Sequence, residues 1–369
     1  MNEENILYTL ALQKASKIGD ITAKKLIQHC GSPKAVFETK ATTLQKINGI
    51  GSYLTQFLKD TSLFNAAEKE LKYIQKNNLQ TYYFEDSNYP KRLKNCIDGP
   101  ILLFGAGNIN LNKPKIISIV GTRNITAHGK AFCEQLVDEL SVLNPIIISG
   151  FAYGVDITAH KAAIKNNLQN IACLAHGLNQ IYPKVHKKYM HQVEENGGFL
   201  TDFWSDANPD RENFIKRNRV IAGISEATIV IESAEKGGSL VTADIANSYN
   251  REVFAVAGRP TDKFSLGCNN LIKQQKAQLI TSAADVIYML NWDVKGKQKA
   301  IQPQLFIDLN KTEEKIINHL KIEEKAHLDA IAIACQIPIY SLSGTLLNLE
   351  LKGLVRPHPG KFFELIAAR

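Results

Sequence analysis

The sequence predicts an α/β fold in which a doubly wound sheet of parallel strands occupies residues 81–292. Short apolar runs rich in β-branched residues recur through this region, which is typical of strands buried on both faces; they read IISIV, PIIIS, IACLA and ATIVI. Glycine-containing loops with polar or basic residues follow these runs. Because ligands of open α/β sheets bind beyond the carboxyl ends of the strands, we expect these loops to line one crevice.

The composition favours a globular protein of two or three domains with an anionic partner. The 369 residues are 44% hydrophobic and 22% charged, and the formal net charge is +8. Lys and Arg outnumber Asp and Glu by 11 to 7 in residues 1–80 and by 25 to 21 in residues 81–302, whereas residues 303–369 hold eight of each. The basic excess therefore lies in the first two thirds of the chain, which suits a polyanion such as nucleic acid.

The cysteines and the N-terminus indicate a reducing compartment. The six cysteines are scattered, with no C-x-x-C pair and no His at ligand spacing, so we expect reduced thiols; they are Cys30, Cys96, Cys133, Cys173, Cys268 and Cys335. The N-terminus opens with acidic residues and a short apolar run, unlike a signal peptide, and no run reaches the length of a membrane span. We expect a cytoplasmic protein that does not contact membranes.

Residues 1–80 are predicted to form a helical domain with two related hairpins. In the second, Ile47–Gly51 resembles the hairpin of a helix-hairpin-helix motif, in which backbone N–H groups meet a duplex-DNA phosphate; the residues concerned are Asn48, Gly49, Ile50 and Gly51. An ordinary helical turn explains the same pattern, and both interpretations stay open. The first copy, Ile18–Thr22, lacks the second Gly and favours the ordinary turn.

A polar linker at residues 293–304 leads to a predicted winged-helix domain at residues 305–369. The order of elements indicates this fold: three short helices near Thr312–Leu320, His327–Cys335 and Tyr340–Lys352, followed by a strand pair in LVRPHPGKFFEL. The third helix carries Glu350 and only one lysine, unlike a helix that reads a DNA groove. This composition favours a protein-binding or scaffold role.

Two of the strand-end loops offer glycine beside polar groups. In Gly121-Thr122-Arg123, the glycine lets a ligand come close to the backbone and the threonine offers a hydroxyl. The arginine guanidinium can bind a phosphate through two parallel hydrogen bonds. Ser149-Gly150 begins the next such loop, which continues to Asp156 in the first turn of a helix, with His160 four residues later. We expect Asp156 and His160 to form a structural contact that braces the loop.

A cluster of basic residues surrounds one aromatic residue between Arg211 and Arg219. Charges that follow the backbone and a ring that stacks on a base are what single-stranded nucleic acid requires. The alternative is that Phe214 belongs to the hydrophobic core. On a helix, Phe214, Arg217 and Asn218 share one face, while Lys216 and Arg219 point elsewhere, so the cluster cannot serve one site as a whole.

Gly237-Gly238-Ser239 follows a strand and opens a helix, as in a phosphate-binding nest. The segment Tyr182-Pro183-Lys184, after Gly177, is expected to add a wall to the crevice. The sequence lacks a P-loop, the dinucleotide fingerprint G-x-G-x-x-G, a nucleophile elbow and a carboxylate cluster for two-metal chemistry. We therefore expect no catalysis, cofactor or metal.

Taken together, the motifs of residues 90–285 resemble the DNA-processing protein A family, DprA, also called Smf. They occur in the order VGTR, ISGFAYGVDITAH, HGLNQIYPK, FIKRNRVIAGIS, VIESAEKGGSLVTA, VFAVAG and LGCNNLI. An ordered series of this many motifs is far more specific than any one of them. The chain departs from the family pattern at Val256-Ala257-Gly258, where Pro-Gly is usual, at Asp202, where Glu is usual, and at Lys276, where Gly is usual.

The resemblance implies an extended Rossmann-like fold that binds single-stranded DNA and forms homodimers. It also implies loading of RecA recombinase on incoming DNA in natural transformation, with single-strand binding protein displaced or accommodated. Motif by motif, it assigns DNA binding to Arg123, Arg211, Phe214 and Arg217. With the loop residues above, the expected binding set is Gly121, Thr122, Arg123, Ser149, Gly150, Lys184, Arg211, Phe214, Arg217, Asn218, Arg219, Gly237, Gly238 and Ser239.

Two other functions stay open at this point. One is a hydrolase of nucleotides or nucleoside monophosphates from the lysine-decarboxylase-like Rossmann group, whose Gly-Gly-x-Gly-Thr loop is similar to that at Gly237-Gly238. Ser239–Thr242 breaks that pattern, and the Glu expected after it is missing. The other is an interaction scaffold in which the C-terminal tail is the working part.

Overall fold

The computed structural model describes residues 2–111, 113–292, 309–323, 325–358 and 360–366. It divides into two compact units, Met1–Asp293 and Val294–Arg369. The predicted linker at residues 293–304 lies outside the described residues. All six cysteines are free thiols, and five of them are buried.

The N-terminal part of the first unit is helical. Its helices are α1 (Glu3–Lys14), α2 (Asp20–Cys30), α3 (Pro33–Glu38), α4 (Ala41–Leu44), α5 (Ser52–Thr55) and α6 (Ser62–Lys76), with a 3₁₀ turn at Gln56–Lys59. The side chain of Asn2 caps α1 by accepting from the Asn5 N–H at 2.9 Å, and Gly31 ends α2 with φ +92°, a conformation that favours glycine. These helices bury leucines such as Leu10 and Leu26 in the same core as the strands of the sheet.

A nine-stranded sheet follows. Its strands are β1 (Gln80–Tyr83), β2 (Leu102–Gly107), β3 (Ile116–Val120), β4 (Ile146–Ser149), β5 (Asn170–Cys173), β6 (Gly197–Thr201), β7 (Ala227–Val230), β8 (Glu252–Val256) and β9 (Gln278–Ile280). They lie in the order β1-β2-β6-β5-β4-β3-β7-β8-β9. The pairs β1–β2 and β2–β6 are antiparallel and all other neighbours are parallel. The chain reverses its direction across the sheet between β3 and β7, which is the topological switch point.

Helices cover both faces of this sheet, as a doubly wound fold requires. They are α7 (Lys91–Lys94), α8 (Ala127–Leu140), α9 (Val155–Lys165), α10 (Met190–Glu195), α11 (Arg211–Ile224), α12 (Gly238–Ser248), α13 (Leu266–Lys273) and α14 (Ala283–Met289), with 3₁₀ turns at Ser141–Leu143 and Lys184–Tyr189. Ile117 and Ile119 of β3 belong to the core that contains α8 and α9, whereas Ile116 and Val120 belong to the core that contains α11 and α12. This alternation follows the two-residue period of a strand and confirms the predicted fold class.

The second unit is a winged helix, as predicted. It contains α15 (Lys311–Glu323), β10 (Lys325–His327), α16 (Leu328–Cys335), α17 (Ile339–Leu351), β11 (Val355–His358) and β12 (Phe362–Leu365). The strands form an antiparallel sheet in the order β10-β12-β11, so a third strand joins the predicted pair. Ile316, Ile331 and Leu342 are fully buried in a core of its own.

Among the described residues, no single helix has the length and hydropathy of a membrane span. The pair α16 and α17 meets that test only when joined, across a bend of 106°.

Candidate functional site

A crevice opens at the switch point between β3 and β7. The loop after β3 and the loop after β7 are joined there, because the Thr122 N–H donates to the Glu232 carbonyl oxygen at 2.7 Å. The crevice contains two adjoining cavities. The inner cavity, of about 430 Å³, is lined by residues that include Gly121, Arg123, Arg217, Ser239 and Lys263. The outer cavity, of about 590 Å³, is lined by residues that include Tyr182, Arg211, Ile215 and Val241. Five residues of the predicted DNA-binding set line both cavities: Arg123, Phe214, Asn218, Gly237 and Gly238.

Arg123 lies at the boundary of the two cavities and is exposed. Its guanidinium carbon lies 5.1 Å from the centroid of the Phe214 ring, which is cation–π distance. The preceding Thr122 hydroxyl accepts from the Asn124 N–H at 3.1 Å, which fixes the turn that presents Arg123. The guanidinium is therefore held at the crevice by an aromatic face and presents its N–H groups to solvent.

Phe214 is half-buried and lies outside the hydrophobic core clusters. Its ring has Arg123 on one side and the buried guanidinium of Arg217 at 5.8 Å, and Tyr182 approaches edge-on at 5.9 Å. Helix α11 places the ring here because the carboxylate of Asp210 caps its first turn, accepting from the Asn213 N–H at 2.8 Å. The alternative of a core phenylalanine is thus not what the structure shows.

Arg217 supports the crevice from below. It is buried and donates to the carbonyl oxygens of Gly150, at 2.9 Å, and Cys173, which lie at the carboxyl ends of β4 and β5. Burial lowers the pKa of Arg217, and the nearby Asp156 carboxylate opposes that effect. Burial also raises the pKa of Asp156, with the charge of Arg217 acting in the opposite direction. The two buried groups compensate each other beneath the inner cavity.

Ser149 and Gly150 also lie beneath the surface. The Ser149 hydroxyl donates to the Ile119 carbonyl oxygen at 2.6 Å inside the sheet. A β-carbon at Gly150 would come within 2.5 Å of the Asp156 carboxylate and 2.7 Å of the Arg217 guanidinium. Glycine at this position therefore leaves space for the buried charges. Neither residue lines either cavity.

The prediction that Asp156 and His160 contact each other is wrong, because each side chain has a different partner. Asp156 accepts from the Ala152 N–H at 3.2 Å, whereas the Nδ1 atom of His160 lies 3.0 Å from Oδ1 of Asn170 on β5. Burial lowers the pKa of His160 to about 4, so its ring is neutral near pH 7. The two side chains diverge because Asp156 faces the arginines of the crevice, while the His160 ring packs against Phe151.

Arg219 lies on the other side of α11 and does not line the inner or outer cavity. Its guanidinium binds Asp20 at 2.9 Å and Asp202 at 2.6 Å, and so connects α2 to the sheet. The predicted division of α11 into two faces agrees with this placement. Lys184, also in the predicted set, is exposed at the start of a 3₁₀ turn and lines neither cavity.

The glycines at 237 and 238 open helix α12 at the crevice. The Ser239 hydroxyl donates to the Ser233 hydroxyl at 3.0 Å, and no atom of the described residues lies within 4 Å of the position of a β-carbon at Gly238. The first-turn N–H groups of a helix have no intrahelical acceptors and carry partial positive charge. This end of α12 therefore offers an anion open backbone donors.

Sequence reasoning missed Lys236 and Lys263, which line the inner cavity. Lys263 reaches it because the loop after β8 is bonded to the loop after β7: the Ser233 N–H donates to the Phe264 carbonyl oxygen at 2.7 Å, and the Gly267 N–H donates to the Ser233 carbonyl oxygen at 2.9 Å. The sequence does place Lys263 in the loop after β8, a further parallel strand that ends at the same edge of the sheet. That position alone could have indicated that Lys263 lies near the crevice. Among the described residues, no group of three or more His, Cys, Asp or Glu side chains is arranged to hold a metal ion.

The second N-terminal hairpin has exposed glycines at 49 and 51 and a buried Ile50. Gly49 has φ +84°, but the helix that follows, α5, is only four residues long. The first hairpin packs against the sheet, because the Asp20 carboxylate accepts from the Ile101 N–H at 2.9 Å. Duplex-DNA binding by Asn48, Gly49, Ile50 and Gly51 stays a prediction.

Comparison with known proteins matches most of the chain to one family. The family model described as DNA recombination-mediator protein A matches residues 80–291, and a DprA winged helix domain matches residues 302–361. The protein Smf of Escherichia coli K12 is 31% identical over 303 residues, which cover 81% of this chain and 80% of that protein.

Two solved structures are similar as well. DNA processing protein A from Streptococcus pneumoniae superposes with a TM-score of 0.64 at 28% identity, over 78% of this chain and 98% of that one. DNA processing protein A from Helicobacter pylori, described for its unique single-stranded DNA binding mode, gives a TM-score of 0.53 at 29% identity, over 58% of this chain and 95% of that one.

Proposed function

Because the chain belongs to the DNA recombination-mediator protein A family, we propose that its crevice binds single-stranded DNA and leaves the strand chemically intact. The observation that carries this proposal is the pairing of Arg123 with the half-buried ring of Phe214 at the switch point of the sheet. A cation for phosphate and a ring for a base stand side by side there. The solved relative from Helicobacter pylori, whose described property is single-stranded DNA binding, supports the same function.

The phosphate side of the crevice consists of Arg123, Lys236, Lys263 and the first turn of α12. Guanidinium and ammonium groups beside open backbone N–H groups bind phosphate oxygens without sequence preference. Each phosphate neutralised should contribute about 0.7 to the slope of log affinity against log salt for a single strand. Binding through this side is therefore expected to weaken steeply with salt.

The base side consists of Phe214 and Tyr182, in the wall of the outer cavity. Stacking of a base on an aromatic ring contributes about 1–3 kcal/mol. The Phe214 ring is half-buried, and the guanidinium carbons of Arg123 and Arg217 lie 5.1 and 5.8 Å from its centroid. We expect a base to stack on this ring only when it is unstacked from its neighbours. Bases in a duplex are stacked and paired, and we expect duplex DNA to bind more weakly.

The ionisable groups of the crevice are suited to binding. Asp156 is buried, accepts a backbone hydrogen bond and compensates Arg217, so it is poorly placed to exchange protons with a substrate. The remaining charged residues that line the cavities are four basic ones and one acidic one, Asp210, whose carboxylate caps α11. The basic residues are Arg123, Arg211, Lys236 and Lys263. We propose a mediator that is not an enzyme and needs no cofactor.

The family supports a more specific role. We propose that the protein acts in natural transformation and DNA recombination, where it loads RecA recombinase on incoming single strands as a homodimer in the cytoplasm. In this role it displaces or accommodates single-strand binding protein. The near-neutral winged helix, whose third helix α17 contains Glu350 and no Lys or Arg, suits contact with a protein better than contact with a DNA groove.

The deciding experiment compares single-stranded and duplex DNA of equal length at several salt concentrations. We expect tighter binding of the single strand and a salt slope that reports several phosphates. Equal affinity for the two forms would contradict the proposal. In parallel, incubation with nucleoside monophosphates is expected to release no free base, and measurable turnover would favour the hydrolase instead.

A further inference from the structure

A third cavity lies on the opposite side of α11 from the inner cavity. It measures about 650 Å³ and is bounded by the N-terminal end of α2 and by α11. Its lining includes Ile21 and Thr22 from α2 and Ile215, Lys216 and Arg219 from α11. We call it the α2 groove.

The α2 groove adjoins the outer cavity at Ile215, the residue that lines both. Large apolar side chains are exposed along the two cavities: Tyr182 at 40%, Val241 at 36% and Ile215 at 50% in the outer cavity, and Ile21 at 41% in the α2 groove. Single exposed apolar residues are ordinary, but several of them along two adjoining cavities are typical of a binding surface. The surface runs from the crevice to the N-terminal helices.

The carboxylates of the α2 groove are already engaged. Asp20 accepts from the Ile101 N–H at 2.9 Å and pairs with Arg219 at 2.9 Å, and Asp98 accepts from the Tyr249 hydroxyl. Lys216, by contrast, is exposed. The groove thus presents aliphatic surface next to one exposed ammonium group, which suits the bases and a phosphate of an unpaired strand.

We propose that a single strand held in the crevice continues over Ile215 into the α2 groove, so that the N-terminal helices bind the same strand. The bases pack on Ile215 and Ile21, and Lys216 contacts a phosphate. This inference rests on the proposed function. It gives the N-terminal helices a role in single-strand binding that is separate from the predicted duplex contact at Gly49 and Gly51.

The test uses the full chain and oligothymidylates of two lengths, about 6 and about 20 nucleotides, a range that spans common single-strand site sizes. The variant is Ile21→Asp combined with Lys216→Ala. The matched control is Val142→Asp, since Val142 is 76% exposed on a 3₁₀ turn and lines none of the three cavities. We expect the double variant to bind the long strand about fivefold or more weakly and the short strand like the wild type. The control should change neither affinity.

A photo-crosslinking group at position 21 supplies a second measurement, which does not depend on the fold of the double variant. We expect it to crosslink to the long strand and not to the short one. An unchanged long-strand affinity, or an equal loss for both lengths, overturns the inference. If Arg123→Ala still weakens binding of the short strand in that case, the proposed function stands, whereas failure of both variants to weaken binding removes the function as well. Altered self-association with unchanged DNA affinity would assign the groove to a second copy of the chain.

Discussion

The guanidinium carbon of Arg123 lies 5.1 Å from the centroid of the Phe214 ring, so the loop after β3 and helix α11 meet at one point of the crevice. This contact leaves the N–H groups of Arg123 available to an anion. It also orients the ring that is proposed to stack on a base. Two contributions to the proposed DNA affinity therefore come from two different residues: phosphate binding from Arg123 and base stacking from Phe214. Single substitutions at each residue can measure them separately.

Arg123→Ala should weaken binding of single-stranded DNA by about 1.5–3 kcal/mol, because it removes charged hydrogen bonds to phosphate. The slope of log affinity against log salt should fall by about 0.7. Fluorescence anisotropy at several salt concentrations measures both quantities. Lys69→Ala, which removes one positive charge from the exposed face of α6, should leave the affinity within about twofold of wild type. An Arg123→Ala variant that binds like the control would refute the assignment.

Phe214→Ala should also weaken binding, by about 1–3 kcal/mol, through lost stacking. Its salt slope should fall by less than that of Arg123→Ala, because the charge of Arg123 remains although the ring that holds its guanidinium is lost. Phe214→Tyr keeps the ring and should retain most of the affinity. A tyrosine variant as weak as the alanine variant would show that the ring does not act by stacking.

Arg217→Met should destabilise the fold by about 3–5 kcal/mol, since it leaves buried Asp156 without its compensating charge and two carbonyl oxygens without a donor. Urea unfolding followed by circular dichroism measures this loss. Arg211→Met, at an exposed position on the same helix, is the control and should change stability by less than about 0.5 kcal/mol. Equal stabilities for the two variants would show that Arg217 is not structural.

Acidification should destabilise the protein through His160. Its pKa is lowered to about 4 in the folded state, below the ordinary value of about 6.5. The unfolded state therefore binds the proton first, and stability is lost as the pH falls from about 6.5 towards 4, by an amount on the order of 3 kcal/mol. His160→Gln should flatten this part of the stability profile, whereas His191→Gln, at an exposed histidine, should not. Parallel profiles for wild type and His160→Gln would contradict the expectation.

Much of the fold follows from local pattern. Apolar runs such as Ile116–Val120 are short and β-branched, and the glycine-containing loops after them converge because parallel strands end at the same edge. The third strand of the wing, Lys325–His327, was not evident, since three residues carry too little periodicity to distinguish a strand from a turn.

The site was less accessible to sequence reasoning, because helical geometry tells which side chains share a face but not which partners they meet. Arg217 and Arg219 look alike in FIKRNRV, yet one binds two carbonyl oxygens under the crevice and the other binds Asp20, a residue 199 positions away. Lys263 reaches the inner cavity only through the backbone bonds of Ser233. Contacts of this range depend on the assembled sheet.

Asp20 and Asp202 pair with Arg219 on the far side of α11, and the Trp204 indole N–H donates to the Gln13 side-chain oxygen at 2.9 Å. Both connections tie the first helices to the sheet. Leucines of α1 and α2 fill the same core as β2. The N-terminal helices are therefore not an interchangeable module: grafting them onto another member of the family would transfer half of an interface without its counterpart. We therefore expect substitutions at these contacts to require compensating changes in α11 and in the segment that follows β6.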